Sequence, residues 1–334
     1  MKADRILIPT DFSPQSHAAL KLAKTFIDIY GCDVSLIHIV PLSMYFGESF
    51  EHLGLPLDLN VDVYPKILEN TQERLDELAK EYIPKEYLEK AKVMVDRKPS
   101  EAIARYAKEN DYDLILMSSK GGHESEWFRG SITKKVIRYS KVPVLTVDDV
   151  FVKEKLENIV SPVDLSDTSM KALPAAFELA YQFDAKLTLL HVSELYAHDG
   201  FGNLAPIPGM DEPTAYEAIM DKIEAFFADH FEGKYRLQRT GTPYEDRIVY
   251  TEGNNNKSIP IETEVLRGIS AHHEITEYAN EHADLLVLTT HGRTGLAHFF
   301  LGSTAGNIVE HAQVPVLTIR PEKLGAKSKK EKEE

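Results

Sequence analysis

Thr289, Thr290, His291 and Gly292 follow an apolar run, and after nine further residues come Gly302, Ser303 and Thr304, opening a stretch with helical spacing. Glycine lets the backbone approach a ligand closely. The first amides of a helix lack intrahelical acceptors and carry partial positive charge, so they favour an anion. Ser303 and Thr304 add hydroxyl donors. Such a set could cradle a phosphate with main-chain groups, or could serve only as a strand-to-helix turn. No GKS or GKT follows a glycine-rich loop, so this is not a P-loop. Asp11 and Asp164 each follow a short apolar run as Pro-x-Asp. Each could meet a ligand or merely cap the next helix. No Gly-x-Ser-x-Gly elbow is present, and HHEITE (272–277) is not a zinc-protease signature, so neither catalytic residues nor metal ligands are assigned.

The elements that must position these residues occur twice. DRILIPTDFS (4–13) matches ENIVSPVDLS (157–166), and Asp11 and Asp164 lie 153 residues apart. His38 and His191, inside matching apolar runs, keep that offset; they read as satisfied core histidines. YDLILMSS (112–119) matches ADLLVLTT (283–290), and KVPVLTV (141–147) matches QVPVLTI (313–319), now at offsets of 171 and 172. The second copy therefore carries about 18 extra residues. In the first copy, continuous apolar runs at 5–9, 33–40, 92–95, 113–117 and 142–147 alternate with helical spacing at 14–30, 62–82, 99–110 and 130–140. Helix starts are marked at Ser13-Pro14, Pro99-Ser100 and Ser166-Asp167. Continuous apolar strands imply a parallel sheet covered on both faces. The expectation is an α/β chain of two Rossmann-like doubly wound domains, 1–149 and 155–321, each with a five-stranded parallel sheet, followed by a charged disordered tail, 322–334. Ligands of such sheets sit beyond the carboxyl ends of the strands, at a switch point.

IPTDFS, THGRTGL with the later LGS, and the two VPVLT endings together resemble the universal stress protein family over nearly the whole chain. The resemblance implies a Gly-x-x-Gly-(nine residues)-Gly-Ser/Thr loop that holds ATP or AMP, with Mg2+ as an accompanying ion. It assigns nucleotide binding mainly to the second domain, at Pro162, Val163, Asp164, Val192, Leu288, Thr289, Gly292, Arg293, Gly302, Ser303 and Thr304. Asp164 and the backbone at Val192 would contact the adenosine, and the loop would line ribose and phosphates. Thr289 stands where the pattern has its first Gly. The first domain departs further. Its matching positions are Pro9, Asp11, Ile39, Ser118, Gly121, Gly130 and Ser131, but only eight residues separate Gly121 from Gly130, and they include Glu124 and Glu126. The resemblance further implies a stress sensor or regulator with at most weak ATP hydrolysis, and it leaves room for an unidentified protein partner. A non-nucleotide scaffold of the same fold is the alternative. It also implies intramolecular pairing of the two terminal strands as a pseudo-dimer, and allows a homodimer of the whole chain.

Composition bounds the rest. The chain has 334 residues and a net charge of −15, and no basic run outside the mixed KSKKEK near its end, which argues against nucleic acid as a partner. Cys32 is the only cysteine, which fits a reducing compartment. No stretch is apolar enough for a signal peptide or a membrane span, so no membrane partner and a cytoplasmic location are expected. His272-His273 lacks a partner at metal spacing, and His291 abuts the glycine loop. The apolar segment 41–57 reads as a cover over the sheet edge or a partner surface, with a ligand lid as the alternative. The insert 233–261, with turn signals TGTP and GNNN around YEDRIVY, reads as an extra hairpin or excursion.

Overall fold

A computed structural model of the chain describes residues 3–41, 64–121, 131–153, 155–198, 204–206, 211–240, 245–291 and 301–321. The chain divides into two compact units, Lys2–Glu154 and Lys155–Glu334.

The first unit contains β1 (Arg5–Pro9), α1 (His17–Tyr30), β2 (Asp33–Pro41), α2 (Tyr64–Tyr82), β3 (Leu88–Asp96), α3 (Pro99–Glu109), β4 (Leu114–Ser118), α4 (Ser131–Tyr139) and β5 (Val144–Val147). Its strands lie in the order β3-β2-β1-β4-β5, all parallel. Every residue of β4 is buried, as the unbroken LILMS run requires of a strand covered on both faces. α1 begins later than the Ser13-Pro14 signal. Residues 14–16 form a turn first, in which the Ser16 amide donates to Ser13 Oγ at 3.2 Å. Gly31 ends α1 in the left-handed region, at φ 60, with its amide bonded to Ile27 O. Cys32 then enters the core, and burial pushes its thiol up to about 11, so it serves packing.

The second unit contains β6 (Asn158–Pro162), α5 (Asp167–Met170), α6 (Leu173–Phe183), β7 (Lys186–Glu194), β8 (Tyr196–His198), β9 (Leu204–Pro206), α7 (Glu212–Phe231), β10 (Tyr235–Gln238), β11 (Glu245–Glu252), β12 (Asn255–Gly268), α8 (Ala271–His282), β13 (Leu285–Thr289), α9 (Ser303–His311) and β14 (Val316–Ile319). Its main sheet has seven strands, β10-β11-β12-β7-β6-β13-β14, rather than five parallel ones. The insert is the reason. β12 is long enough to pair parallel with β7 through Ile261–Gly268 and antiparallel with β11 through Asn255–Glu262. A two-residue turn, Gly253-Asn254, joins β11 to β12, with Gly253 at φ 60. The expected hairpin thus widens the sheet at its edge. Phe177, Phe227, Tyr235 and Tyr250 cluster beside it, Phe227 stacked on Tyr235, Phe177 edge-on to it, and Tyr250 tilted against it with ring centroids 4.8 Å apart.

In both units one carboxylate clamps the amino end of the central strand pair. Asp113 Oδ2 accepts the amides of Asp4 and Arg5, both at 3.0 Å. Asp284 Oδ2 accepts those of Glu157 and Asn158, at 2.9 and 2.8 Å. Charge-assisted bonds of this kind are worth on the order of 1.5–3 kcal/mol each when shielded. Beyond the clamp the strands separate. β1 pairs with β4 only through Ile6 and Leu7, whereas it pairs with β2 from Arg5 to Pro9. β6 pairs with β13 only through Ile159 and Val160, whereas it pairs with β7 from Asn158 to Pro162. Each sheet is therefore closed at the amino end and open at the carboxyl end of its switch point.

Candidate functional site

Strand β6 ends at Pro162, and Val163, Asp164 and Leu165 turn away over the open end of the second sheet. Leu165 has φ 64, a left-handed conformation that costs a bulky residue on the order of 1–2 kcal/mol. Hydrogen bonds hold it there. The Ser166 amide and hydroxyl both donate to Asp164 Oδ1, at 3.0 and 2.5 Å. Ser166 Oγ in turn accepts the Ser169 amide at 3.1 Å, which caps α5, and Ser169 Oγ accepts the Asp164 amide at 3.2 Å. Asp164 is thus fixed by the very turn it forms, so capping and presentation at the crevice belong to one device.

The first unit repeats it. Phe12 has φ 62, and the Ser13 amide and hydroxyl donate to Asp11 Oδ1 at 3.0 and 2.5 Å. His38 and His191 supply the outer support. Each places Nδ1 2.8 Å from a carbonyl, of Thr10 and Val163 respectively. A carbonyl only accepts, so Nδ1 carries the hydrogen in both. Both histidines are satisfied, His191 buried in the core and His38 half-buried at its edge, and their use is to fix the loop that carries the aspartate. Burial lowers the His38 pKa, assisted by Arg74 and opposed by the bond to Thr10 and by Asp11.

Opposite Asp164, β13 ends with Leu288 and Thr289, both buried. Thr289 Oγ1 donates to His291 O at 2.7 Å, so the hydroxyl that replaces the family's first glycine is spent on its own loop. Thr290 Oγ1 lies 2.9 Å from His291 Nδ1. Gly302 is the N-cap of α9, and its amide donates to Thr290 O at 2.9 Å. A Cβ there would stand 3.2 Å from that same oxygen, so a side chain fits only if the oxygen gives way by a few tenths of an ångström. Because the Gly302 amide is committed, the anion-binding capacity of this helix start rests on the amides of Ser303 and Thr304, both exposed residues, and no acid occupies the first turn. Val192, near the carboxyl end of β7, completes the ring of described positions. Gly292 and Arg293 lie outside the described residues, as does Gly130 of the first unit, with Glu124 and Glu126.

The first site is arranged differently. Pro9 ends β1, Ile39 lies near the end of β2, Ser118 ends β4 and Ser131 starts α4. Thr133 Oγ1 donates to Ser118 O at 3.0 Å, tying helix to strand. Lys120, the position matching His291, turns its ammonium to the buried Asp148, 2.6 Å away, and Ser119 Oγ donates to the same oxygen at 3.2 Å. Burial alone would raise the Asp148 pKa, but Lys120 and the Val150 amide outweigh it and hold the carboxyl below its ordinary value. The cation beside this loop is therefore already neutralised.

Sequence reasoning used Asp113 and Asp284 only to align the copies and missed their clamping role; their shared place before the fourth strand was the available signal. The positive φ of Phe12 and Leu165 left no signal, because neither residue is a glycine. No cluster of three or more metal-ligating side chains occurs among the described residues. Among them, no helix is long and apolar enough to cross a membrane.

Comparison with known proteins agrees with this geometry. The model of the universal stress protein family matches residues 2–148 and again 155–320. A universal stress protein of Methanocaldococcus jannaschii is 30% identical over 168 residues, which cover 50% of this chain and 84% of that protein. One from Mycolicibacterium smegmatis is 22% identical over 320 residues, 95% of this chain and 97% of the relative. The crystal structure of a universal stress protein from Archaeoglobus fulgidus covers 96% of this chain and 98% of its own, with a TM-score of 0.62 at 20% identity, a likeness of fold. With both halves matched by the family model, the chain belongs to the universal stress protein family.

Proposed function

We propose that the second domain binds an adenine nucleotide, ATP or AMP, and that the protein acts as a stress-response sensor or regulator rather than as a dedicated enzyme. The phosphates would rest on the Ser303 and Thr304 amides, with Mg2+ accompanying ATP. The adenosine would lie toward Asp164 and the Val192 backbone. The supporting observation is the close seat of Gly302, where a side chain would meet Thr290 O at 3.2 Å beside an acid-free helix start. The first domain would bind nucleotide more weakly, since Lys120 is held by Asp148. We also take the terminal strands β5 and β14 to pair within one chain, covering two apolar edges.

The test is isothermal titration of nucleotide-free protein with ATP and AMP. Binding heat lost in a Gly302→Val variant supports the reading. No heat from either nucleotide overturns it and leaves the scaffold alternative. A thermal-shift assay separates the two readings independently, because a ligand at a hundredfold excess over its Kd stabilises by about 2.7 kcal/mol.

A further inference from the structure

The chain is acidic overall, yet the first unit exposes a set of cations on and beside two helices that pack together. Helices α3 and α4 pack against each other. Arg97, Lys108, Lys135, Arg138 and Lys141 are exposed on or beside them, and none forms an ion pair among the described residues. Lys98 and Arg105 each hold one carboxylate, Glu101 at 2.9 Å and Asp96 at 2.8 Å. Ile132 lies one turn before Lys135 on the same helix face and is 40% exposed. The fold does not require this charge: the matching helices of the second unit, α8 (AHHEITEYANEH) and α9 (STAGNIVEH), contain no Lys or Arg.

The second unit carries the complement. Asp221, Ala225 and Ala228 form an exposed stripe along α7 at i, i+4 and i+7, with Glu217 and Glu224 beside it and the exposed Glu232 capping the helix end. Arg239 shows what this ridge accepts. Its guanidinium lies 2.8 Å from Glu217, 2.9 Å from Asp221 and 3.6 Å from Glu224. One guanidinium against the four carboxylates of Glu217, Asp221, Glu224 and Glu232 leaves a net negative charge.

The geometry points to self-association, in which the α3–α4 face of one copy docks on the α7 ridge of a second copy. Charge complementarity drives the encounter, and Ile132 meets the flat Ala225/Ala228 surface. A nucleic acid fits less well: its phosphate backbone offers nothing to Ile132, and Glu101 and Glu109 interrupt the basic face. The contact joins two different surfaces, so it is heterologous. It uses the outer sides of the helices rather than the Asp164 crevice, and it stands independently of nucleotide binding in the second domain.

Sedimentation velocity of the full chain tests it. The wild type should associate reversibly at about 50 mM salt and at least about tenfold more weakly at about 500 mM, where screening is strong. Lys135→Glu/Arg138→Glu and Asp221→Lys/Glu232→Lys should each sediment as the dissociated species alone. Their equimolar mixture should associate again, because each altered face then meets an opposite charge. A wild type that stays dissociated at low salt, association that survives high salt and both variants, or a mixture without recovery each overturns the contact. So does binding of duplex DNA or anionic vesicles by a chain that does not self-associate. Circular dichroism checks the folding of the variants, and the wild-type salt series decides even if one fails to fold.

Discussion

Asp11 Oδ2 stands 3.1 Å from the point where a Cβ on Gly121 would begin. The acid that closes the first strand and the glycine that follows the fourth are therefore in contact across the open end of the first sheet. The same carboxylate is already tied through Oδ1 to the Ser13 amide and hydroxyl. It can yield to an added methyl only by straining that turn.

Gly121→Ala should accordingly destabilise the first domain by about 1 kcal/mol, the cost of modest overpacking. Urea unfolding followed by a probe in the first domain measures this. An unchanged midpoint would show that the Asp11 side chain swings aside freely.

Ser166 holds Asp164 and caps α5 at once. Removing its hydroxyl in Ser166→Ala should cost about 1 kcal/mol as a lost N-cap. On the proposed function it should also weaken ATP binding, because Asp164 Oδ1 loses its 2.5 Å bond from the Ser166 hydroxyl. Ser166→Thr keeps the hydroxyl and should recover both. Titration and denaturation of the two variants give the readout; equal loss of affinity in both would separate Asp164 from the turn.

The pH dependence of the first domain carries a defined sign. Burial holds the His38 imidazole below its ordinary value, whereas in the unfolded chain it titrates near 6.5. As pH falls below about 6.5, the unfolded chain takes up a proton that the folded domain resists. The contribution is therefore complete above that pH and declines as pH drops toward the lower folded-state value. Urea midpoints between about pH 7.5 and 5.5 should fall for the wild type and fall less for His38→Gln. Parallel slopes would remove His38 from the account.

Pairing of the two terminal strands makes a prediction about exchange. Val144–Val147 pairs with β4 and Val316–Ile319 with β13, and in a parallel strand only alternate residues face a given neighbour. If each strand also has a partner on its other side, all of its amides should exchange slowly. If it is an edge, alternate amides should exchange rapidly. Residue-resolved hydrogen exchange distinguishes the two.

The sequence by itself determined the duplicated plan: helices at 64–82, 99–109 and 131–139 fall within two residues of their expected spans, and the strands follow the apolar runs. Those features come from local periodicity and from buried runs, which a sequence displays directly. It also located both aspartates and the Gly302 helix start, because Pro-x-Asp and Gly-Ser carry backbone signatures. It did not reveal the mixed sheet of the second unit, because pairing of residues 245–268 is a choice among partners and not a local preference. Only the tertiary structure showed that Asp113 and Asp284 clamp one end of each sheet, that Lys120 is drawn onto Asp148, and that the two helices carrying the cations between 97 and 141 pack together. The first two depend on groups far apart in sequence coming within hydrogen-bond distance and the third on a helix pairing, and no linear pattern encodes either.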